Sequence, residues 1–157
     1  MSADLVFDLA PLGSIIQFSD GNPKPPERHR KKLRAWEHRN GSGRLIRKQS
    51  RRHIDTTTIP ESITLHEGDY GGGGVVVLRV HRSFSIDSEL SFTVAERPVI
   101  GSILVLDRAG ADAELVYVAS HRADAEEWLS RHGYPNAVLQ EVTVDKAAAD
   151  AIEGRVA

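Results

Sequence analysis

Residues 21–54 read GNPKPPERHRKKLRAWEHRNGSGRLIRKQSRRHI, and this basic stretch divides the chain into regions of opposite charge. It holds twelve lysine and arginine residues against two acids, Glu27 and Glu37, so its formal charge is +10. Residues 55–157 hold eight basic and seventeen acidic residues, a formal charge of −9. Residues 1–20 add three acids and no base. The net charge of −2 therefore hides a strongly dipolar molecule.

Length and composition favour one small domain. A chain of 157 residues is long enough to bury a hydrophobic core without covalent staples. We divide it into a lead-in with the first strand (1–20), a basic helix and arm (21–58), and an acidic β-rich body with late helices (59–157). The absence of cysteine excludes disulfides and thiolate chemistry and suits a reducing cytoplasm. The N-terminus lacks the pattern of a signal peptide, and the apolar runs, such as residues 75–78, are far too short to span a membrane. We therefore expect a cytoplasmic protein without a membrane partner.

Proline signals predict one basic helix in the first half of the chain. Pro25 and Pro26 favour a helix start, and Asn40 with Gly41 favours a left-handed C-cap, so the expected helix runs from about Pro26 to Arg39. Its apolar stripe is narrow, with Leu33 and Trp36 as the main members. The neighbouring segments are expected to form an edge strand or irregular lead-in (1–13), a strand (14–18), a flexible joint (41–43), a short strand (44–48) and a polar loop (49–58).

Alternating apolar residues predict a β-rich body with helices after it. The expected strands cover residues 62–66, 75–86, 89–95, 99–106, 114–119 and 137–144, with 75–86 and 89–95 pairing as a hairpin. A helix capped by Ser120 and ended by Gly133 fits the helical spacing of its apolar residues, and a second short helix is expected from Asp145 to Ile152. The predicted fold class is α+β, an antiparallel sheet with a basic N-terminal helix and two C-terminal helices.

The basic stretch predicts nucleic-acid binding, because clustered lysine and arginine residues neutralise phosphates and release counterions. Contact should be dominated by the phosphate backbone, with Trp36 available either to stack on a base or to anchor the helix. Two alternatives stay open: the arm pairs with acids of its own chain or of another subunit, or it docks on an acidic protein surface as an inhibitor or accessory module. The predicted contact residues are Arg28, Arg30, Lys31, Lys32, Arg34, Trp36, Arg39, Arg44, Arg47, Lys48, Arg51 and Arg52.

The remaining motifs do not predict a reaction. Residues 71–74 are four glycines without a following Gly-Lys-Ser/Thr, so a mobile hairpin tip is expected instead of a phosphate-binding loop. His81 alternates with Arg79, which indicates a polar outer surface, and Trp128 with His132 indicates helix packing. Neither metal-ligand spacing nor a GxSxG motif occurs. We therefore expect no catalytic residue, metal or cofactor, and a phosphodiester hydrolase is the third-ranked hypothesis.

Overall fold

The computed structural model describes residues 1–72 and 75–144. Three helices and ten strands lie in these ranges. In chain order they are α1 (Ala3–Leu9), β1 (Ile15–Ser19), α2 (Arg30–Arg39), β2 (Gly41–Gln49), β3 (Arg52–Ile54), β4 (Thr57–Ile59), β5 (Ser62–Gly72), β6 (Val75–Ser85), β7 (Ser91–Glu96), β8 (Ile103–Leu106), β9 (Leu115–Ala119), α3 (Arg122–Arg131) and β10 (Val138–Glu141).

The larger sheet has five antiparallel strands in the order β6-β5-β2-β1-β7. It curls so that Phe84 on one edge strand contacts Phe92 on the other, with ring centroids 5.3 Å apart. Helix α1 packs on the inner face, because the spacing of its buried residues places them all on one side of the helix. The resulting core comprises Ala3, Val6, Ala10, Ile16, Phe18, Leu45, Ile63, Leu65, Phe84 and Phe92.

A second sheet of three antiparallel strands, in the order β10-β8-β9, packs against the first through a second apolar cluster. Ile46 of β2 joins Leu104, Leu106 and Leu115 in that cluster. Helix α3 covers the opposite face of the smaller sheet, where Ala125 contacts Ile103, Val105 and Ala119 in a third cluster. Strand β2 thus connects the two sheets, since its adjacent residues Leu45 and Ile46 belong to different cores.

The structure contradicts the predicted α+β class. The described chain is mostly β, and each of its three helices has ten residues or fewer. Antiparallel pairing over long strands buries most of the apolar side chains, so the helices serve as covers on the sheets. Only one of the two expected C-terminal helices, α3, lies in the described ranges. The other, Asp145–Ile152, falls outside the described residues.

The predicted hairpin between residues 75–86 and 89–95 is wrong. Strand β6 pairs with β5, and β7 pairs with β1 at the opposite edge of the sheet. The physical reason is the curl of the sheet, which lets the short connection reach the far edge and buries Phe92 against α1. Strand β5 pairs instead with β6. Of the four-glycine run, Gly71 and Gly72 end β5, and residues 73–74 are outside the described ranges.

The N-terminal region also differs from its prediction. Residues expected to form an edge strand or irregular lead-in are helix α1, whose start is capped by the Ser2 hydroxyl accepting from the Leu5 N–H. The expected joint at residues 41–43 is the beginning of β2, and Gly43 is buried between its neighbours. An added Cβ there would lie 2.9 Å from the Leu65 Cβ and 3.0 Å from the His66 carbonyl oxygen. Glycine is therefore required for close strand packing, and not for flexibility.

Candidate nucleic-acid interface

The predicted contact residues do not form one patch. Strand β2 carries three of them and separates the residues of α2 from Arg51 and Arg52. It spans nine residues, roughly 30 Å at about 3.3 Å per residue. Helix α2 lies before β2 in the chain, and the small β3–β4 ribbon lies after it. The candidate interface therefore has three parts, which are the helix, the strand and the ribbon, and their environments differ.

Helix α2 presents the exposed part. None of its ten residues is buried, and the predicted start at Pro26 is four residues too early, because residues 26–29 form a turn closed by the His29 N–H and the Pro26 carbonyl. At about 100° per residue, Arg30, Lys31 and Arg34 share the side of the helix away from Trp36. Within the described ranges, no ion pair involves any of the residues Arg28, Arg30, Lys31, Lys32 and Arg34. These five side chains are exposed on α2 and on the turn before it, and we call this set the α2 basic face.

The end of α2 is tied to the sheet by a polar cluster. The Trp36 indole N–H donates to the Asn22 carbonyl at 2.8 Å, so this ring anchors the preceding loop. Asp20 accepts from the Asn22 N–H and from the Asn40 amide, and Arg39 lies 3.3 Å from the same carboxylate. The backbone hydrogen bond from Asn22, supported by Asn40 and Arg39, lowers the pKa of Asp20. Asn40 itself is extended, so the helix ends by passing directly into β2 and not through the predicted left-handed cap.

The basic residues of β2 face the protein. The Arg44 guanidinium donates to the Gly13 carbonyl at 2.7 Å. Arg47 is one-quarter exposed and lies 3.9 Å from Asp107 and 3.8 Å from Glu114, two acids that flank the turn between β8 and β9. Lys48 is partly buried beside it. The ion pairs of Arg47 thus bridge the two sheets, which is the internal pairing that the sequence left open as an alternative.

The last two predicted residues lie at the start of the β3–β4 ribbon, with Arg51 directly before β3 and Arg52 as its first residue. Arg51 lies 3.6 Å from Glu61, although its side chain is 58% exposed. Asp112 accepts from the Ser50 N–H and hydroxyl, and these hydrogen bonds lower its pKa, with smaller contributions from the charges of Arg108 and Arg52. Most of residues 49–58, predicted as a loop, belong to this short antiparallel ribbon. Glu61 and Asp112 fix the start of the ribbon to the rest of the protein.

Comparison with known proteins gives one family. The family model described as "Uncharacterised conserved protein UCP036055" matches residues 1–146. The chain belongs to this family. No curated protein and no solved structure matches it significantly. The matched range of this UCP036055 family member includes every helix and strand described above, so α1, both sheets and the basic segment all lie within the family's region.

Two further observations concern metals and membranes. Within residues 1–72 and 75–144, no three histidine, aspartate or glutamate side chains are close enough together to hold a metal ion. Across the same ranges, no helix has the length and apolarity needed to cross a bilayer.

A second polar group in this family member was missed from sequence. Arg79 and His81, interpreted as outer surface, line a cleft together with Trp128 and His132, which were interpreted as helix packing. The alternation on β6 correctly placed Arg79 and His81 on one face. The sequence carried no signal that β9 and α3 would lie over that face, because this contact joins residues far apart in the chain.

Proposed function

We propose that this protein is a small, non-enzymatic nucleic-acid-binding protein whose α2 basic face contacts phosphates. The observation that carries the proposal is the contrast in pairing. Arg28, Arg30, Lys31, Lys32 and Arg34 have no acidic partner among the described residues, whereas Arg39 and Arg51 each have one and Arg47 has two. Unpaired surface cations grouped on one helix and the turn before it are suited to phosphate contact and counterion release.

The electrostatics of α2 support an anionic partner. Its first turn holds Arg30, Lys31 and Lys32 and no acidic residue, and its N-cap, His29, makes no side-chain hydrogen bond to the helix. Cations at a helix N-terminus oppose the helix dipole, at a cost of about 0.3–1 kcal/mol for each charge at an exposed site. A phosphate beside this turn would offset that repulsion and accept from the open N–H groups.

The proposal narrows the predicted site. Contact is assigned to the α2 basic face, while Trp36 holds the helix in place and Arg44 and Arg47 act within the fold. Since phosphate contacts carry no base information, binding should be similar across sequences. The proposal includes a cytoplasmic location, which a chain without cysteine suits.

The direct test is a mobility shift with duplex DNA, single-stranded DNA and RNA of unrelated sequence at two salt concentrations. With five phosphate contacts, the slope of log K against log salt on duplex DNA should be about −4.5, at about 0.9 per contact. Failure to bind any of the three polymers at low salt would refute the proposal. It would leave the α2 basic face to an acidic protein surface.

A further inference from the structure

A second cleft, of about 430 Å³, lies between the end of α2 and the outer face of the larger sheet, opposite the face that α1 covers. Its volume is within the range of about 300–1,000 Å³ typical of small-molecule sites. Trp36 of α2 lines one side, and residues of β1, β2 and β7 line the other. All nine lining residues lie in the described ranges, and none of them carries a charge. We call this feature the Trp36 cleft.

The floor of the Trp36 cleft is a row of neutral polar side chains. Ser42 of β2 and Thr93 of β7 are both opposite Gln17 of β1 in the sheet register. Ile16 and Phe18 are buried in the core, so alternation along β1 turns Gln17 to the outer face. The side chains of Gln17, Ser42 and Thr93 are exposed and make no hydrogen bond within the described part of the chain. The floor therefore offers one amide and two hydroxyls, each of which can donate and accept.

The side of the cleft at Trp36 is held by hydrogen bonds. The Trp36 indole N–H donates to the Asn22 carbonyl, and the Asn40 amide donates to the Trp36 carbonyl, both at 2.8 Å. The amide oxygen of Asn40 accepts from the Ser19 hydroxyl on β1, also at 2.8 Å. These bonds fix the end of α2 to the sheet. The partly exposed indole ring is thereby held beside the polar floor.

One cation of the α2 basic face is a neighbour of Trp36 on the helix surface. Lys32 precedes Trp36 by four residues, so the two side chains lie on the same side of α2, about 5–6 Å apart at their Cβ atoms. Lys32 is exposed, and no ion pair involves it among the described residues. A ligand in the Trp36 cleft would therefore have a neutral polar floor on one side and an unpaired cation beside the aromatic ring.

We propose that the Trp36 cleft receives an unpaired base of a nucleic acid whose phosphates contact the α2 basic face, so that the protein prefers single strands to duplexes. This inference rests on the proposed function. A base is uncharged and carries donors and acceptors that match the floor, while a phosphate matches Lys32. Every base has a π-face that can stack on an aromatic ring, so stacking on Trp36 tolerates any sequence. In a duplex, the same base would first have to leave its stack and its pair.

Tryptophan fluorescence separates this inference from the proposed function. Trp128→Phe leaves Trp36 as the single tryptophan of the chain. The W128F protein is titrated at low salt with oligothymidylate, with an abasic strand of the same length and with a duplex of the same length. We expect oligothymidylate to bind most tightly and to quench the Trp36 emission, while the other two bind without comparable quenching.

The possible results of this titration are distinct. Binding of all three polymers with equal affinity and no difference in quenching would overturn the inference and leave the proposed function intact. Binding of none of them would refute both. Saturable quenching by neutral maltotriose, without a response to oligothymidylate, would assign the cleft to a sugar and would also overturn the inference.

Variants test the two sides of the cleft. Trp36→Ala should lower the ratio of single-strand to duplex affinity by about 5-fold or more, as for the loss of one stacked base. If W36A does not fold, as judged by circular dichroism, the exposed floor residue Gln17 replaces it. Gln17→Ala should lower the same ratio by about 5-fold, as for one lost hydrogen bond.

A matched glutamine provides the control. Gln140 of β10 does not line the cleft, and Gln140→Ala should keep the parent ratio of single-strand to duplex affinity. An unchanged ratio in folded W36A, or in Q17A where W36A does not fold, would contradict the assignment of the base to this cleft.

Discussion

Helix α2 and strand β2 are adjacent in the chain and similarly basic, but their side chains have opposite environments. None of the α2 residues is buried, whereas β2 is the central strand of the larger sheet and buries Leu45 and Ile46 in two different cores. Apart from Arg39, which pairs with Asp20, the arginine and lysine side chains of α2 are left to solvent, while Arg44 and Arg47 bond to groups of the same chain. Basic residues of one continuous stretch therefore face solvent in α2 and bond within the protein in β2. The difference follows from the apolar residues beside them, which bury β2 and leave α2 exposed.

The largest effect should come from the core residue of β2. Leu45→Ala should destabilise the fold by about 2–5 kcal/mol, because Leu45 has no exposed surface and its removal leaves a cavity beneath α1. Leu33→Ala on α2 is the matched control and should cost much less, since Leu33 is only partly buried. Urea denaturation of both variants checks the difference. Equal losses would mean that α2 contributes to the core as much as β2 does.

A smaller effect is expected at the beginning of β2. Gly43→Ala should destabilise by about 1–3 kcal/mol, because the new methyl group would crowd the Leu65 side chain and the His66 backbone. The exposed neighbour Ser42 provides the control, and Ser42→Ala should have little effect. Thermal denaturation of the two proteins separates the outcomes. A neutral G43A variant would support the flexible joint that the sequence suggested.

The smallest effect concerns Asp20, which ties the end of α2 to the sheet. Because its pKa is lowered in the fold, its contribution to stability is present above the unfolded value of about 3.9 and is lost as the pH falls through the folded value. The stability difference between the parent and Asp20→Asn should therefore be larger at pH 6 than at pH 2.5. Denaturation at the two pH values tests this, and a difference that does not change with pH would exclude a role for the carboxylate charge.

The strands could largely be located from sequence, but their partners could not. Alternation on β6 and β9 gave nearly the observed strands, and the apolar spacing of α3 gave the observed helix, although His121 and not Ser120 accepts from the Asp124 N–H at its start. Strand pairing depends on contacts between distant segments, so the edge position of β7 was not predictable from its own residues. Helix α1 was predictable in principle, because Ala3, Val6 and Ala10 follow helical spacing after the capping Ser2.

In the candidate site, too, features set by neighbouring residues were predictable from sequence, whereas contacts between distant segments were not. The charge of α2 and its last residue, Arg39, followed from its own sequence, whereas the prolines placed its start four residues too early. The pairing of Arg47 with Asp107 and Glu114 did not, because those acids are more than fifty residues away and arrive through the second sheet. The signal that β2 is structural was the apolar pair at positions 45 and 46 within an otherwise basic run.

The most direct test of the central claim is the salt dependence of DNA binding by two variants with the same change in charge. One reverses Arg30, Lys31 and Arg34 to glutamate on the α2 basic face, and the other reverses the exposed residues Arg108, Arg122 and Arg131 on the body. The account predicts that the first variant loses about 2.7 from the log–log slope on duplex DNA, while the second keeps nearly the parent slope and both keep the parent circular dichroism. Equal losses in both variants, or full affinity after the α2 reversal, would contradict the assignment of phosphate contact to α2.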